Sequence, residues 1–216
     1  MMINNLKKRI YTSLILLFSV YLIFNYSFFL VFSLIILGVI SLLEFFNISK
    51  KIFKNKFYLF FLNSCFTFYV SIYCLFFFFF SNLLQLKILL LILLMGCVAS
   101  DIGGFVFGKT FKGPKLTSIS PNKTISGAIG SLIFSCIVIS SLIFYFTKNF
   151  NYNILYICLI TSFACQFGDL FFSYLKRKAK IKNTGNFFPG HGGVLDRLDG
   201  IFLGIPLGFV ALILFY

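Results

Sequence analysis

Acidic side chains are scarce in this chain. Only Glu44, Asp101, Asp169, Asp196 and Asp199 occur, against nineteen lysines and arginines in 216 residues. There is a single histidine, His191. No CxxC pair occurs, and the six cysteines stand singly inside apolar runs. Neither a zinc site nor a disulfide framework is therefore indicated, and each thiol reads as a small buried hydrophobe. No internal repeat is visible, which argues against a transporter built from inverted halves. No small-residue cleavage site precedes Asn25, so the apolar run after the basic start reads as a retained helix and not as a signal peptide.

Apolar sequence is abundant instead. The chain is 60% hydrophobic with a mean hydropathy of +1.00, and it holds 34 phenylalanines. A soluble domain cannot hide that much apolar surface. Runs of near-spanning length predict an all-α, polytopic membrane bundle. Seven spans are expected, at about 10–24, 27–46, 57–80, 83–107, 125–147, 153–173 and 199–216. The first two form a hairpin through the turn at 25–27. The phenylalanine run at 76–80 reads as a lipid-facing face and not as a cofactor box. Residues 1–98 form an N-terminal group of helices for scaffolding, dimer or lipid contact. Residues 99–216 form a catalytic region.

A formal charge of +14 would suggest nucleic acid in a soluble protein. Here the distribution points elsewhere. All the basic residues except Lys87 and Lys148 fall before the first span or in alternate connections. That is the positive-inside pattern, so the N-terminus is expected in the cytoplasm, the C-terminus outside, and no nucleic acid as partner. On this topology all five acids lie at cytoplasmic helix ends or in cytoplasmic loops. A carboxylate inside an apolar segment costs about 2.5–3.5 kcal/mol at the helix centre and less near the interface. Asp101 and Asp169 are consequently read as functional, whereas Glu44 reads equally well as a simple helix-end charge.

Three stretches on that side carry the chemistry. Residues 101–109, DIGGFVFGK, close the fourth span. Residues 120–127, SPNKTISG, open the fifth, with Ser120 read as the N-cap and Pro121 as the first helical residue. Residues 168–169, Gly-Asp, lead into the long polar segment at 173–200. Carboxylates at helix ends suit Mg²⁺, which takes one or two of them plus water and phosphate oxygens. Asp196 and Asp199, three apart, share a face if helical. Gly190, Gly192 and Gly193 let backbone N–H groups approach a phosphate. Lys123 beside a helix start is an anion site. Together these features point to a polyphosphate ligand at the inner membrane surface.

The same residues resemble the signature of the phosphatidate cytidylyltransferase (CDP-diacylglycerol synthase) family. It is carried by Ser173-Tyr-Leu-Lys176-Arg177, Lys182-Asn183, Gly185, Pro189-Gly-His191-Gly192-Gly193 and Asp196-Arg197-Leu198-Asp199, with Gly168-Asp169, residues 101–109 and residues 120–124 upstream. Two positions depart from the family pattern: Asn183 and Ser126 stand where it usually has Asp and Glu. The chain is also short for the family. The resemblance implies transfer of a cytidylyl group from CTP to phosphatidic acid, giving CDP-diacylglycerol and pyrophosphate, with Mg²⁺ and room for a second, monovalent cation. It implies Asp169 and Asp196 as metal ligands and Asp199 as a supporting or second-cation ligand. Lys123, Lys176, Arg177 and Arg197 would bind phosphates, with Ser120 and Thr124 supporting the pocket. Asp101 would line it. His191, with Gly192 and Gly193, would shape the loop or bind a phosphate. A bacterial inner membrane, an active site facing the cytoplasm and a possible homodimer complete the expectation. The rival readings are a related CTP- or ATP-dependent lipid kinase and a catalytically degenerate homologue with a binding role.

Overall fold

The structure is a computed structural model and describes residues 18, 21–23, 25–185, 187 and 192–215. Six long helices run through them: α1 (Ser27–Ile52), α2 (Lys56–Ser81), α3 (Leu84–Phe111), α4 (Ile125–Thr147), α5 (Asn153–Lys178) and α6 (Leu195–Phe215). All six are long and apolar enough to cross a membrane. The chain is a multi-pass membrane protein. Of the expected spans, 10–24 lies outside the described residues apart from a few positions. No strand forms among the described residues, and β structure is limited to isolated bridge positions such as the antiparallel pair Lys115 and Thr124.

Most helices extend past the apolar runs that announce them. α1 continues through Lys50 and Lys51, and α5 through Lys176, Arg177 and Lys178. Cations in a last turn complement the partial negative charge of a helix C-terminus, so a helix has no reason to stop where its apolar run stops. The ends are set by local chemistry. The Asn55 side chain accepts the N–H of Phe57 to open α2 (2.9 Å), and Thr124 accepts the N–H of Gly127 to open α4 (3.1 Å). Left-handed Lys148 closes α4. The expected cap at Ser120-Pro121 is therefore corrected. These residues form a turn in which the Ser120 carbonyl accepts the N–H of Lys123 (3.0 Å), and the cap falls four residues later, at Thr124. Thr124 has the extended backbone and the accepting hydroxyl that an N-cap needs.

The chain divides into two compact units. One contains the described residues up to Leu83 together with Leu175–Arg197. Within it α1 packs on α2, with the rings of Phe45 and Phe66 stacked at 3.8 Å and Ser49 hydrogen-bonded to Asn63 (2.7 Å). Lys178 lies over the Phe53 ring, 5.5 Å from its centroid. The described residues that follow α5 up to Arg197 thus group with the first helices. The reason is a carboxylate described below.

The other unit contains Leu84–Tyr174 with Leu198–Tyr216. Its core is the face shared by α3, α4, α5 and α6, where Leu93, Cys97, Ile139, Ile157, Thr161 and Ile205 are shut off from the surface. α3 and α4 approach so closely that a Cβ at Gly103 would fall on the Gly130 carbonyl and on Phe134. Small residues at such a crossing give van der Waals packing between backbones, the main attraction left where the surroundings are as apolar as the side chains. Elsewhere the helices present Phe, Leu and Ile outward, as at Phe60, Phe68 and Phe79 on α2. That pattern suits lipid as the solvent.

Candidate active site

In the unit built on α3–α5, the connection from α3 to α4 folds back on itself. The N–H of Leu116 bonds to the Lys123 carbonyl (2.8 Å), and the N–H of Ile125 to the Pro114 carbonyl (3.1 Å). Ser126 donates its hydroxyl to the Lys112 carbonyl, so the position where the family pattern has a carboxylate serves here to tie down this loop. The fold-back delivers Lys123 to the start of α4, and its ammonium forms a salt bridge with Asp169 on α5. Ser173, one turn later, donates to the other Asp169 oxygen (3.3 Å). Each partner of the ion pair keeps a little over a quarter of its side chain exposed, so the pair is reachable.

Two further aspartates belong to this unit. Gly168 packs against Asp199 and Gly200 so tightly that a Cβ there would meet the Asp199 carbonyl at 2.5 Å. This crossing of α5 and α6 brings the chain next to Asp169 against the turn that carries Asp199. Asp199 is buried, and one of its oxygens accepts the N–H of Gly200 (2.9 Å). Asp101, on α3, has an oxygen 3.9 Å from the thiol of Cys165, which lies one helical turn before Asp169 on α5. Polar contacts between helices support the arrangement: buried Ser100 with Ser162 at 3.0 Å, and half-buried Gln166 to the Ala128 carbonyl at 3.3 Å.

The unit that includes 175–197 holds the remaining signature residues. Lys176, in the last turn of α5, donates to Asp196 (2.8 Å), and both side chains are nearly buried, at 13% and 10% exposure. The other Asp196 oxygen accepts two backbone N–H groups, from Thr184 (2.9 Å) and Gly193 (3.0 Å). Asp196 lies in the first turn of α6, where a negative charge is favoured. Asp199 follows on the same helix, so the expected helical spacing of the two holds. The N–H of Gly193, expected to meet a phosphate, is engaged by Asp196. Gly192 has φ +91° and lies where a Cβ would come within 2.9 Å of the same carboxylate. Only glycine combines that backbone with that proximity. Arg177 and Arg197 are exposed. His191, Pro189 and Gly190 lie outside the described residues.

Glu44 is the residue whose weight the sequence did not reveal. It sits on α1, is 6% exposed, and accepts hydrogen bonds from Thr184, Val194 and Leu195. The available signal was its rarity, one of five acids, placed in an apolar run.

Among the described residues no three His, Cys, Asp or Glu side chains gather into a ready-made metal cluster. The donors on offer are hard carboxylate oxygens. Mg²⁺ needs only one or two of these, since substrate phosphates and water complete its shell. The donor set therefore suits that ion.

Several known proteins are similar to this chain. A phosphatidate cytidylyltransferase of Helicobacter pylori is 41% identical over 123 residues, covering 57% of this chain and 46% of that protein. One from Rickettsia felis is 43% identical over 136 residues, covering 57% of this chain and 59% of that protein. One from Staphylococcus haemolyticus is 42% identical over 116 residues, covering 53% and 45%. The chain spans about half the length of these relatives. The sequence pattern of the cytidylyltransferase family matches residues 3–215, which is nearly the whole chain: the chain belongs to that family.

Proposed function

We propose that this protein transfers the cytidylyl group of CTP to phosphatidic acid, forming CDP-diacylglycerol and releasing pyrophosphate. The observation that carries the reading is the pair of lysine–carboxylate contacts, Lys123–Asp169 and Lys176–Asp196, both contributed by signature segments. Family membership and the relatives' names support it.

The phosphate oxygen of the lipid is already anionic at neutral pH, so no strong base is required. It attacks the α-phosphorus of CTP. The bond from that phosphorus to the bridging oxygen breaks, and its electron pair leaves with pyrophosphate. The obstacle is repulsion between an anionic nucleophile and a triphosphate. Lys123, Lys176, Arg177 and Arg197 lower it by holding phosphate oxygens and developing charge. Asp169 and Asp196 orient Lys123 and Lys176, and with Asp199 they are the proposed ligands for Mg²⁺. The bound ion would neutralise phosphate charge and align the reacting groups. By resemblance to the family, Ser120 and Thr124 would support phosphate binding, Asp101 would line the site, and His191, Gly192 and Gly193 would contact a phosphate. The alternation of basic connections supports a site on the cytoplasmic side with the C-terminus outside, and the bacterial relatives support an inner membrane. A second, monovalent cation and a homodimer belong to the same proposal.

The test is an assay of the purified protein with labelled CTP and phosphatidate, with and without Mg²⁺. Label should enter a CDP-lipid only with Mg²⁺. Asp196→Asn should lower the rate by at least about 100-fold, a typical loss for one pre-organised electrostatic group. Undiminished CDP-lipid formation by Asp196→Asn would overturn the assignment of that residue.

A further inference from the structure

We propose that Glu44 is a positioning residue for the site, fixing from α1 the loop that presents Asp196. Its carboxylate accepts the N–H of Val194 on one oxygen (3.0 Å). The other oxygen accepts the N–H of Leu195 (2.9 Å) and the hydroxyl of Thr184 (2.6 Å). These donors lie 140 to 151 residues away along the chain. No Lys or Arg pairs with Glu44 among the described residues. A buried carboxylate without a cationic partner is tolerable only when hydrogen bonds satisfy it, and two N–H groups of a helix N-terminus supply that here.

The connection to Asp196 runs through shared residues. Thr184 gives its hydroxyl to Glu44 and its N–H to Asp196, so one residue bridges the two carboxylates. Gly193 gives its N–H to Asp196 while its Cα faces Glu44, and a Cβ there would overlap both Glu44 oxygens and the Thr184 hydroxyl. Gly185 likewise abuts the Glu44 carboxylate. Segments 184–185 and 193–195 are thereby clamped around a single side chain. Both Glu44 oxygens are already engaged and buried, so it neither binds substrate nor moves a proton. It acts through Asp196. A carboxylate suits the task because it only accepts. A glutamine would turn an NH₂ toward Val194 or Leu195, donor against donor.

The kinetic part of this inference rests on the proposed activity, and the structural part does not. The experiment compares full-length wild type with Glu44→Gln, Thr184→Val, Thr184→Ser and the double variant Glu44→Gln/Thr184→Val, purified in lipid nanodiscs. Hydrogen–deuterium exchange by mass spectrometry is read together with CTP kinetics. In Glu44→Gln and Thr184→Val, peptides covering 183–197 should exchange about tenfold or more faster while those of α3 and α4 stay unchanged, since local opening is read separately from global unfolding. In the same two variants kcat/KM should fall about tenfold or more. Thr184→Ser keeps the hydroxyl and should stay close to wild type, and the double variant should be little worse than either single one, because both changes break one linkage. Exchange that rises equally throughout the protein, losses that add in the double variant, or a Thr184→Ser as impaired as Thr184→Val would each overturn the positioning role. A wild type that forms no CDP-lipid would instead refute the proposed function, and the exchange pattern would still decide the role of Glu44.

Discussion

At the scale of single residues, the two lysine–carboxylate pairs differ in a way that sets their consequences apart. Lys176 and Asp196 are nearly buried, whereas Lys123 and Asp169 each remain more than a quarter exposed. Removing one partner of a buried pair strands a charge and costs about 3–5 kcal/mol. A more exposed pair is worth about 1 kcal/mol or less. Asp196 retains two backbone donors, so the lower end of the larger range applies. Lys176→Met should accordingly lower stability by about 3 kcal/mol, and Lys123→Met by no more than about 1 kcal/mol, in denaturant unfolding of the detergent-solubilised protein. Both variants should lose the proposed CDP-lipid synthesis. Equal stability losses would contradict this account of burial.

At the scale of elements, the crossing of α3 with α4 is the scaffold for the Lys123 loop. It depends on the absence of side chains. A Cβ at Gly130 would meet Phe107 and the Gly103 carbonyl, whereas one at Gly38 on α1 would meet only Cys74 and Val70, no nearer than 3.3 Å. Gly130→Ala should therefore destabilise by about 1–3 kcal/mol, the usual cost of overpacking, and slow the proposed reaction by displacing Lys123. Gly38→Ala should be close to neutral. Thermal melts and CTP kinetics on the two variants make the comparison. The cap at the start of α4 gives a smaller effect. Thr124→Ala should cost about 1 kcal/mol by leaving the N–H of Gly127 without its acceptor. An equal response at Gly38 and Gly130 would mean that the close crossing does not govern stability.

At the scale of the whole molecule, the alternation of basic connections predicts sidedness. In a background with the six native cysteines replaced, Lys54→Cys and Lys115→Cys should react with an impermeant thiol reagent only from the cytoplasmic side. Asn82→Cys and Asn149→Cys should react only from the opposite side. The reverse pattern would invert the proposed topology and remove the site from the compartment that supplies CTP.

The six described spans, the family signature and the helical placement of Asp196 with Asp199 were legible in the sequence. Hydropathy, turn residues and motif spacing are properties of neighbouring positions, and a membrane requires its spanning backbone to be helical. Helix ends were less legible, because α1 and α5 run on into lysines that suit a C-terminus, and the start of α4 is decided by the Thr124 hydroxyl and not by Pro121. Partner choice was not legible at all. Lys123 finds Asp169 across 46 positions, and Glu44 finds the signature loop across about 150. Those contacts depend on which helix faces meet in three dimensions, and many faces of this chain are apolar enough to meet in other ways. By itself the sequence determined a multi-pass helical member of a cytidylyltransferase family with its acids gathered in a few segments. Tertiary structure alone decided which cation holds which carboxylate. It also decided that Glu44, outwardly a helix-end charge, anchors the segment leading into the helix that carries Asp196, since a buried acceptor takes whatever donors the packing brings to it.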